Sequence, residues 1–135
     1  MRTFPLGLAV LAFLAILAFS PFATAEAPDQ APSIAPSELS ARRATDRAPI
    51  VIDVRTREEY ASGHIPGALN IPFDQVAERI SEIDAPHGVA LYCMIGPRAR
   101  KGEAALLGAG YTSVLHIEGG LAAWKAAGLP VESGR

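Results

Sequence analysis

The chain has 135 residues, of which 50% are hydrophobic, with 12 basic and 14 acidic side chains and a formal net charge of −2. This length suits one domain with a sizeable core, and the mild acidity gives no reason to expect nucleic-acid binding. The single cysteine, Cys93, excludes an internal disulfide.

The N-terminus has the pattern of a secretory signal peptide. Arg2 precedes an apolar run over residues 6–19, and Ala23 and Ala25 form a small-x-small cleavage site. The pattern predicts cleavage after Ala25, a periplasmic location and no stable membrane association afterwards. The alternative is an uncleaved membrane anchor, for which the apolar run is short. Residues 26–36, with three prolines, are predicted to be a flexible linker before a domain over residues 37–135.

From residue 37 onwards, segments with helical spacing alternate with short β-branched runs. Strands are predicted at residues 50–54, 68–71, 89–92 and 113–117. Helices are predicted at residues 37–45, 57–61, 74–83, 98–109 and 121–127, with Ser37, Thr56 and Asp74 as N-caps. This alternation predicts an α/β fold with a mostly parallel sheet.

Cys93 occupies a position that favours reactivity. It follows a predicted buried strand and precedes a short loop with Gly96 and Arg98 that leads into a helix. Ligands of α/β sheets bind beyond the carboxyl ends of strands, and N–H groups at the start of a helix attract anions. Together with Arg98, these groups favour the thiolate over the neutral thiol, so Cys93 is the predicted catalytic nucleophile. The alternative is an inert cysteine that fills the core.

The length of this loop separates classes of cysteine enzyme. The spacing from Cys93 to Arg98 is Cys-x4-Arg, one residue shorter than the loops of tyrosine phosphatases and arsenate reductases. The smaller loop suits one extra sulfur atom on the cysteine better than a tetrahedral oxyanion. The predicted substrate-binding residues are those of the loop: Met94, Ile95, Gly96, Pro97, Arg98 and Ala99.

Four segments carry recognisable patterns: residues 52–60, 60–71, 93–98 and 119–131. In this order they resemble the motifs of the rhodanese family of sulfurtransferases. The resemblance covers residues 37–131 and implies a central, mostly parallel five-stranded sheet flanked by helices on both faces. It also implies that Cys93 takes a sulfane sulfur from a donor such as thiosulfate, forms a persulfide and passes the sulfur to cyanide or a thiol. The family needs no metal or organic cofactor.

Three loop residues depart from this pattern. Met94 and Ile95 are apolar where efficient thiosulfate users often carry basic or polar residues, and Ala99 stands where Ser often follows the arginine. The apolar tip favours a second hypothesis, a non-catalytic persulfide carrier or thiol-recognition module that docks on a partner such as a periplasmic thiol protein. A phosphatase or arsenate reductase is a third hypothesis, which the loop length disfavours. Nothing in the sequence requires more than a monomer.

Other polar residues are given structural roles. Arg55 is predicted to pair with Glu59 across a short helix. His64, in a tight loop, is predicted to bond the backbone. His87 and His116 have no ligand-like spacing with the cysteine, so no metal site is predicted.

Overall fold

The computed structural model describes residues 29–135, so the predicted signal peptide and its cleavage site lie outside the described residues. The strands are β1 Ser33–Ile34, β2 Ile50–Asp53, β3 Leu69–Asn70, β4 Val89–Tyr92 and β5 Val114–Ile117. The helices are α1 Pro36–Arg42, α2 Arg57–Ser62, α3 Pro97–Gly108 and α4 Gly120–Ala126, with a 3-10 helix at Ile80–Glu82.

All five strands form one parallel sheet in the order β1-β5-β4-β2-β3. The central strand β4 is buried along its whole length between β5 and β2. A parallel sheet buried on both faces requires continuous apolar runs, which explains why residues 50–52 of β2 and all of β4 are apolar without alternation. The predicted α/β class and parallel sheet are therefore confirmed.

Each face of the sheet has its own apolar cluster. On one face, Ile52 and Leu91 pack with Leu106 of α3. On the other face, Val51 and Tyr92 lie in a cluster with residues of α1 and α4, including Leu39, Leu121 and Trp124. Successive strand residues point to opposite faces, so the odd and even positions of β2 and β4 separate cleanly between the two clusters.

Most predicted elements are present within one or two residues of their expected ends. Thr56 caps α2 as predicted, because its hydroxyl accepts from the Glu59 N–H while the Glu59 carboxylate accepts from the Thr56 N–H. This reciprocal capping box satisfies two N–H groups that a helix start leaves free. The cap matters for the site, because it fixes the carboxylate of Glu59.

The helix predicted at residues 74–83 is wrong. This segment forms successive turns followed by the 3-10 helix, and N–H groups of Gln75, Glu82 and Ile83 bond carbonyls three residues back. Val76 and Ile83 are nevertheless buried. The apolar spacing thus serves the core through tight turns, which do not need a continuous α-helix.

Two predictions at the start of the domain also need correction. Helix α1 begins at Pro36 with Ala35 as its N-cap, so Ser37 lies inside the helix. Proline suits this first position because it lacks the N–H that would be unpaired there. Residues 33 and 34, expected within a linker, form β1 and pair with His116 and Ile117 of β5. The sheet edge therefore extends into the proline-containing segment.

Within residues 29–135, no helix combines the length and the apolar character needed to cross a membrane.

Candidate active site at the end of strand β4

Cys93 directly follows β4, at the carboxyl edge of the sheet. The chain leaves β2 towards β3 on one side, and it leaves β4 towards β5 on the other. Between β2 and β4 the connections diverge, and such a switch point is where open α/β sheets bind ligands. The sequence-predicted nucleophile therefore lies where the topology leaves room for a ligand.

The Cys93 sulfur is held inside the loop. Its side chain is only 1% exposed, and the Gly96 N–H donates to Sγ at 3.0 Å. Burial alone fits an inert core cysteine equally well, since Cys93 shares a cluster with Ala99 and Leu91. The bond from Gly96 adds an N–H donor at the sulfur, a contact that a catalytic cysteine requires and that an inert core cysteine does not need.

Gly96 reaches this position through a conformation that other residues rarely adopt. Its φ is +150°, and a β-carbon there would lie 3.6 Å from the ring of His116. Glycine therefore allows the loop to turn its amide towards the sulfur of Cys93. Pro97 follows as the first residue of α3, a position where its fixed φ is already helical.

The first N–H groups of α4 hold the other side of the loop. Leu121 N–H donates to the Cys93 carbonyl at 2.9 Å, and Ala122 N–H donates to the Met94 carbonyl at 3.0 Å. In a trans peptide the N–H points opposite to the C=O, and the described residues contain no cis bond. The N–H groups of Met94 and Ile95 are therefore directed away from α4.

Gly120 makes this contact possible. Its φ is +60°, and a β-carbon would lie 2.5 Å from the Cys93 carbonyl oxygen and 2.7 Å from the Met94 carbonyl oxygen. No side chain fits between α4 and the loop. The Gly119-Gly120 pair in the sequence indicates a position that needs glycine. That the loop backbone after Cys93 is what approaches it can be learned only from the folded structure.

Arg98 lies at the rim of the site and pairs with Glu59 of α2. The two side chains form a bidentate bond, with N···O distances of 2.7 and 2.9 Å. The hydrogen bond from Arg98 lowers the pKa of Glu59 to about 2. The pairing with Glu59 and, secondarily, the charge of Cys93 raise the pKa of Arg98. The guanidinium is thus a fixed positive charge near the sulfur.

The predicted Arg55–Glu59 pair is wrong. Arg55 is buried and bonds Asp53, with Nη2 2.6 Å from Oδ2, and it also donates to the Gly63 carbonyl. Glu59 is turned to Arg98 by the α2 capping box. Asp53 and Arg55 hold the Gly63 turn beside the end of β2, which is a structural role.

His64 has the structural role predicted for it. Its Nδ1 lies 2.7 Å from the Tyr60 carbonyl, its ring stacks on the Tyr60 ring with centroids 3.6 Å apart, and its Nε2 contacts Glu132. Within residues 29–135, no three His, Cys, Asp or Glu side chains are arranged to hold a metal ion.

The remaining loop residues divide by exposure. Met94 is 37% and Ile95 65% exposed, whereas Ala99 is fully buried in the cluster that contains Cys93. Met94 and Ile95 therefore present an apolar tip to the surroundings.

A cavity of about 450 Å³ lies elsewhere, against α2 and the end of β3, and none of its lining residues belongs to the loop.

Comparison with known proteins gives consistent matches. A family model described as "Rhodanese-like domain" matches residues 35–127. A sulfurtransferase of Allochromatium vinosum is 40% identical over 93 residues, which are 69% of this chain and 87% of the relative. The thiosulfate sulfurtransferase GlpE of Pseudomonas entomophila is 33% identical over 92 residues, 68% of this chain and 83% of the relative. Two other curated relatives are longer, and the match spans 45% and 54% of their lengths.

A solved structure agrees with the fold. The solution structure of the rhodanese-like domain of the Alr3790 protein from Anabaena sp. superposes with a TM-score of 0.68 at 32% identity. The superposition covers 76% of this chain and 79% of that one.

The close approach at Gly120 predicts a specific loss of stability. Gly120→Ala places a methyl group on two backbone carbonyls, so we expect it to lower the free energy of unfolding by about 3 kcal/mol or more. Gly128→Ala is the matched control, because Gly128 also has a positive φ of +72° but open space around it. It should cost about 1 kcal/mol. Equal losses in urea unfolding would contradict the proposed contact.

The Arg98–Glu59 pair predicts a pH-dependent contribution to stability. Because the folded pKa of Glu59 is depressed from 4.5 to about 2, its stabilisation is present above pH 4.5 and is lost as pH falls towards about 2. Glu59→Gln keeps the helix cap but removes the charge. We expect it to cost about 1 kcal/mol near neutral pH, a value reduced for partial exposure. The variant should match the wild type at the acid end of this range.

Urea unfolding at several pH values measures this difference. Glu38→Gln is the control, because Glu38 forms an exposed pair with Arg42 on one helix. It should change the free energy of unfolding by less than about 0.5 kcal/mol. A loss in Glu59→Gln that is the same at every pH would show that the charge pair is not its cause.

Proposed function

The chain belongs to the rhodanese-like domain family and has a sulfurtransferase-type role, and on that premise we propose that Cys93 carries the transferred sulfur as a persulfide. The single observation that carries the proposal is the bond from the Gly96 N–H to the Cys93 sulfur. An amide donor in a buried site stabilises an anionic sulfur without reorganisation. Both the thiolate and the persulfide are anionic, so the same donor serves both states.

The reaction has two steps through one covalent intermediate. The Cys93 thiolate attacks the outer sulfur of a donor such as thiosulfate; an S–S bond forms, the bond to the sulfite sulfur breaks, and sulfite leaves with the electron pair. A thiophilic acceptor such as cyanide then attacks the outer sulfur of the persulfide. Thiocyanate leaves, and the thiolate of Cys93 is restored.

Arg98 supports the approach of an anionic donor. Its guanidinium is 31% exposed and is oriented by Glu59, so it presents positive charge to solvent near the loop. Positive charge at a site entrance raises the local concentration of anionic ligands. The carboxylate of Glu59 reduces this attraction, but it holds the Arg98 side chain in one orientation beside the loop.

The exposed tip supports a second candidate, a persulfide carrier that exchanges sulfur with a partner protein. Met94 and Ile95 directly follow the sulfur-bearing residue and are exposed, whereas most apolar residues of this domain are buried. An apolar pair beside a reactive atom suits contact with a protein surface better than with a small hydrophilic anion. If the protein is such a carrier, a protein persulfide transfers sulfur to Cys93 faster than thiosulfate does.

The proposal predicts sulfur loading of one residue. After incubation with thiosulfate, the intact mass of the protein should rise by one sulfur atom, and cyanide should reverse the rise. Cys93→Ser should show no change, because the serine hydroxyl cannot form a persulfide. An unfolding curve like that of the wild type is the control for this variant.

Mass spectrometry measures the loading rate with each donor. Loading by thiosulfate at catalytic rates supports the enzyme, and slow loading by thiosulfate with fast loading by a protein persulfide supports the carrier. Failure of every sulfane sulfur donor to load the wild-type protein would overturn both.

A further inference from the structure

A buried pair of ionisable side chains lies beneath the sulfur-bearing loop. His116, in β5, is 6% exposed, and Glu103, in α3, is 1% exposed. His116 pairs in register with Leu91 of β4. Because residues two apart on a strand share a face, His116 lies on the same side of the sheet as Leu91 and Cys93, the side that α3 covers.

The two side chains are in close contact. His116 Nδ1 lies 2.6 Å from Glu103 Oε1, and the other carboxylate oxygen lies 3.2 Å from Arg100 Nη1. Arg100 is itself anchored by donating to the Ala31 carbonyl at 2.7 Å. Burial raises the pKa of the Glu103 carboxyl, and the contacts with His116 and Arg100 oppose that rise. At 2.6 Å the ring and the carboxylate are within ion-pair distance when the imidazole is protonated.

One residue separates this pair from the sulfur. A β-carbon on Gly96 would lie 3.6 Å from both Cε1 and Nε2 of His116, so the free edge of the ring faces Gly96. The N–H of Gly96 donates to Cys93 Sγ at 3.0 Å. The imidazole therefore lies behind the residue whose amide holds the sulfur.

A buried ionisable pair is a weak source of stability for a fold. The surrounding cluster is apolar and includes Leu91, Ala99 and Leu106. Burying an ionisable pair in such surroundings costs free energy that apolar side chains of similar size would not cost. Buried ionisable pairs beside a site are candidates for tuning that site.

We propose that His116, held by Glu103, is a positioning residue whose imidazolium charge beneath Gly96 stabilises the anionic sulfur of Cys93. The inference rests on the proposed function for its role in sulfur transfer, but the charge effect on the thiolate is independent of any donor. The titratable and charged groups around His116 are Glu103 of α3, which contacts its ring, Arg100 of α3, which contacts Glu103, and Cys93 after β4, which lies on the other side of Gly96. From β1, the paired residue is Ser33, which does not titrate in this range.

A double variant separates charge from packing. Glu103→Gln combined with His116→Gln replaces the ionisable pair by two neutral amides that can still bond each other across the same space. The rate of alkylation of Cys93 by iodoacetamide is then measured against pH. His87→Gln is the matched control, because His87 is exposed and precedes β4, at the opposite end of that strand from Cys93.

Loss of the charge should move the alkylation profile to higher pH. We expect the pH of half-maximal rate to rise by about one unit in the double variant and to stay unchanged in His87→Gln. A double variant that folds, with a profile identical to that of the wild type, would overturn the inference. Unfolding curves show whether the variant folds.

A second measurement needs only the wild-type protein. The ring resonances of His116, followed by NMR against pH, should report the charged form over the range in which the rate of alkylation rises. A neutral ring over that whole range would overturn the inference even if the double variant did not fold. Sulfur loading of the wild-type protein is measured separately. If the wild type takes up no sulfur but the double variant shows the shifted alkylation profile, the proposed function is refuted and the inference about His116 stands.

Discussion

The hydrogen bonds between the start of α4 and the carbonyls of Cys93 and Met94 are the constraint on which the site depends. They fix two peptide planes of the loop and direct the opposite N–H groups away from α4. Gly120 permits the contact because it has no side chain at the point of closest approach. The loop therefore has a defined shape before any ligand arrives, which is the condition for electrostatic stabilisation without reorganisation.

Two pairs of ionisable side chains lie around the loop that holds the sulfur. At the rim, Arg98 is oriented by Glu59 from α2, and beneath the loop, His116 is held by Glu103 from α3. In each pair the basic group is the one nearer the loop, and a carboxylate from a helix holds it in place. Each carboxylate weakens the electrostatic attraction of its basic partner for an anion, but it also holds that partner in one orientation. A long side chain without such a partner would sample many rotamers and would not keep a fixed position near the sulfur.

The parts of the fold that the sequence predicts well depend on local pattern. The apolar runs of β2 and β4 indicate strands buried on both faces, and the capping pattern at Thr56 marks the start of α2. The position of Cys93 after a buried strand follows from the same local signals. These features are set by residues within a few positions of each other, so no knowledge of the tertiary structure is needed.

The parts that it predicts poorly depend on distant partners. Arg98 and Glu59 are 39 residues apart, and nothing in the spacing favours this pair over Arg55 with Glu59. The two residues of β1 are a strand only because β5 offers an edge. In the sequence, His116 is a polar residue within an apolar strand and has no evident partner. Only the packing of α3 on β5 brings Glu103 to 2.6 Å from its ring.

The central claim is that the loop backbone, through the amide of Gly96, holds the sulfur of Cys93 in an anionic form that accepts a second sulfur. The most direct measurement is the set of amide proton shifts of Met94, Ile95 and Gly96 before and after treatment with thiosulfate, and again after cyanide. The account predicts that the Gly96 amide shifts most, that its neighbours in the loop move with it, and that cyanide restores all of them. Unchanged loop amides in a protein whose mass shows the added sulfur would contradict it.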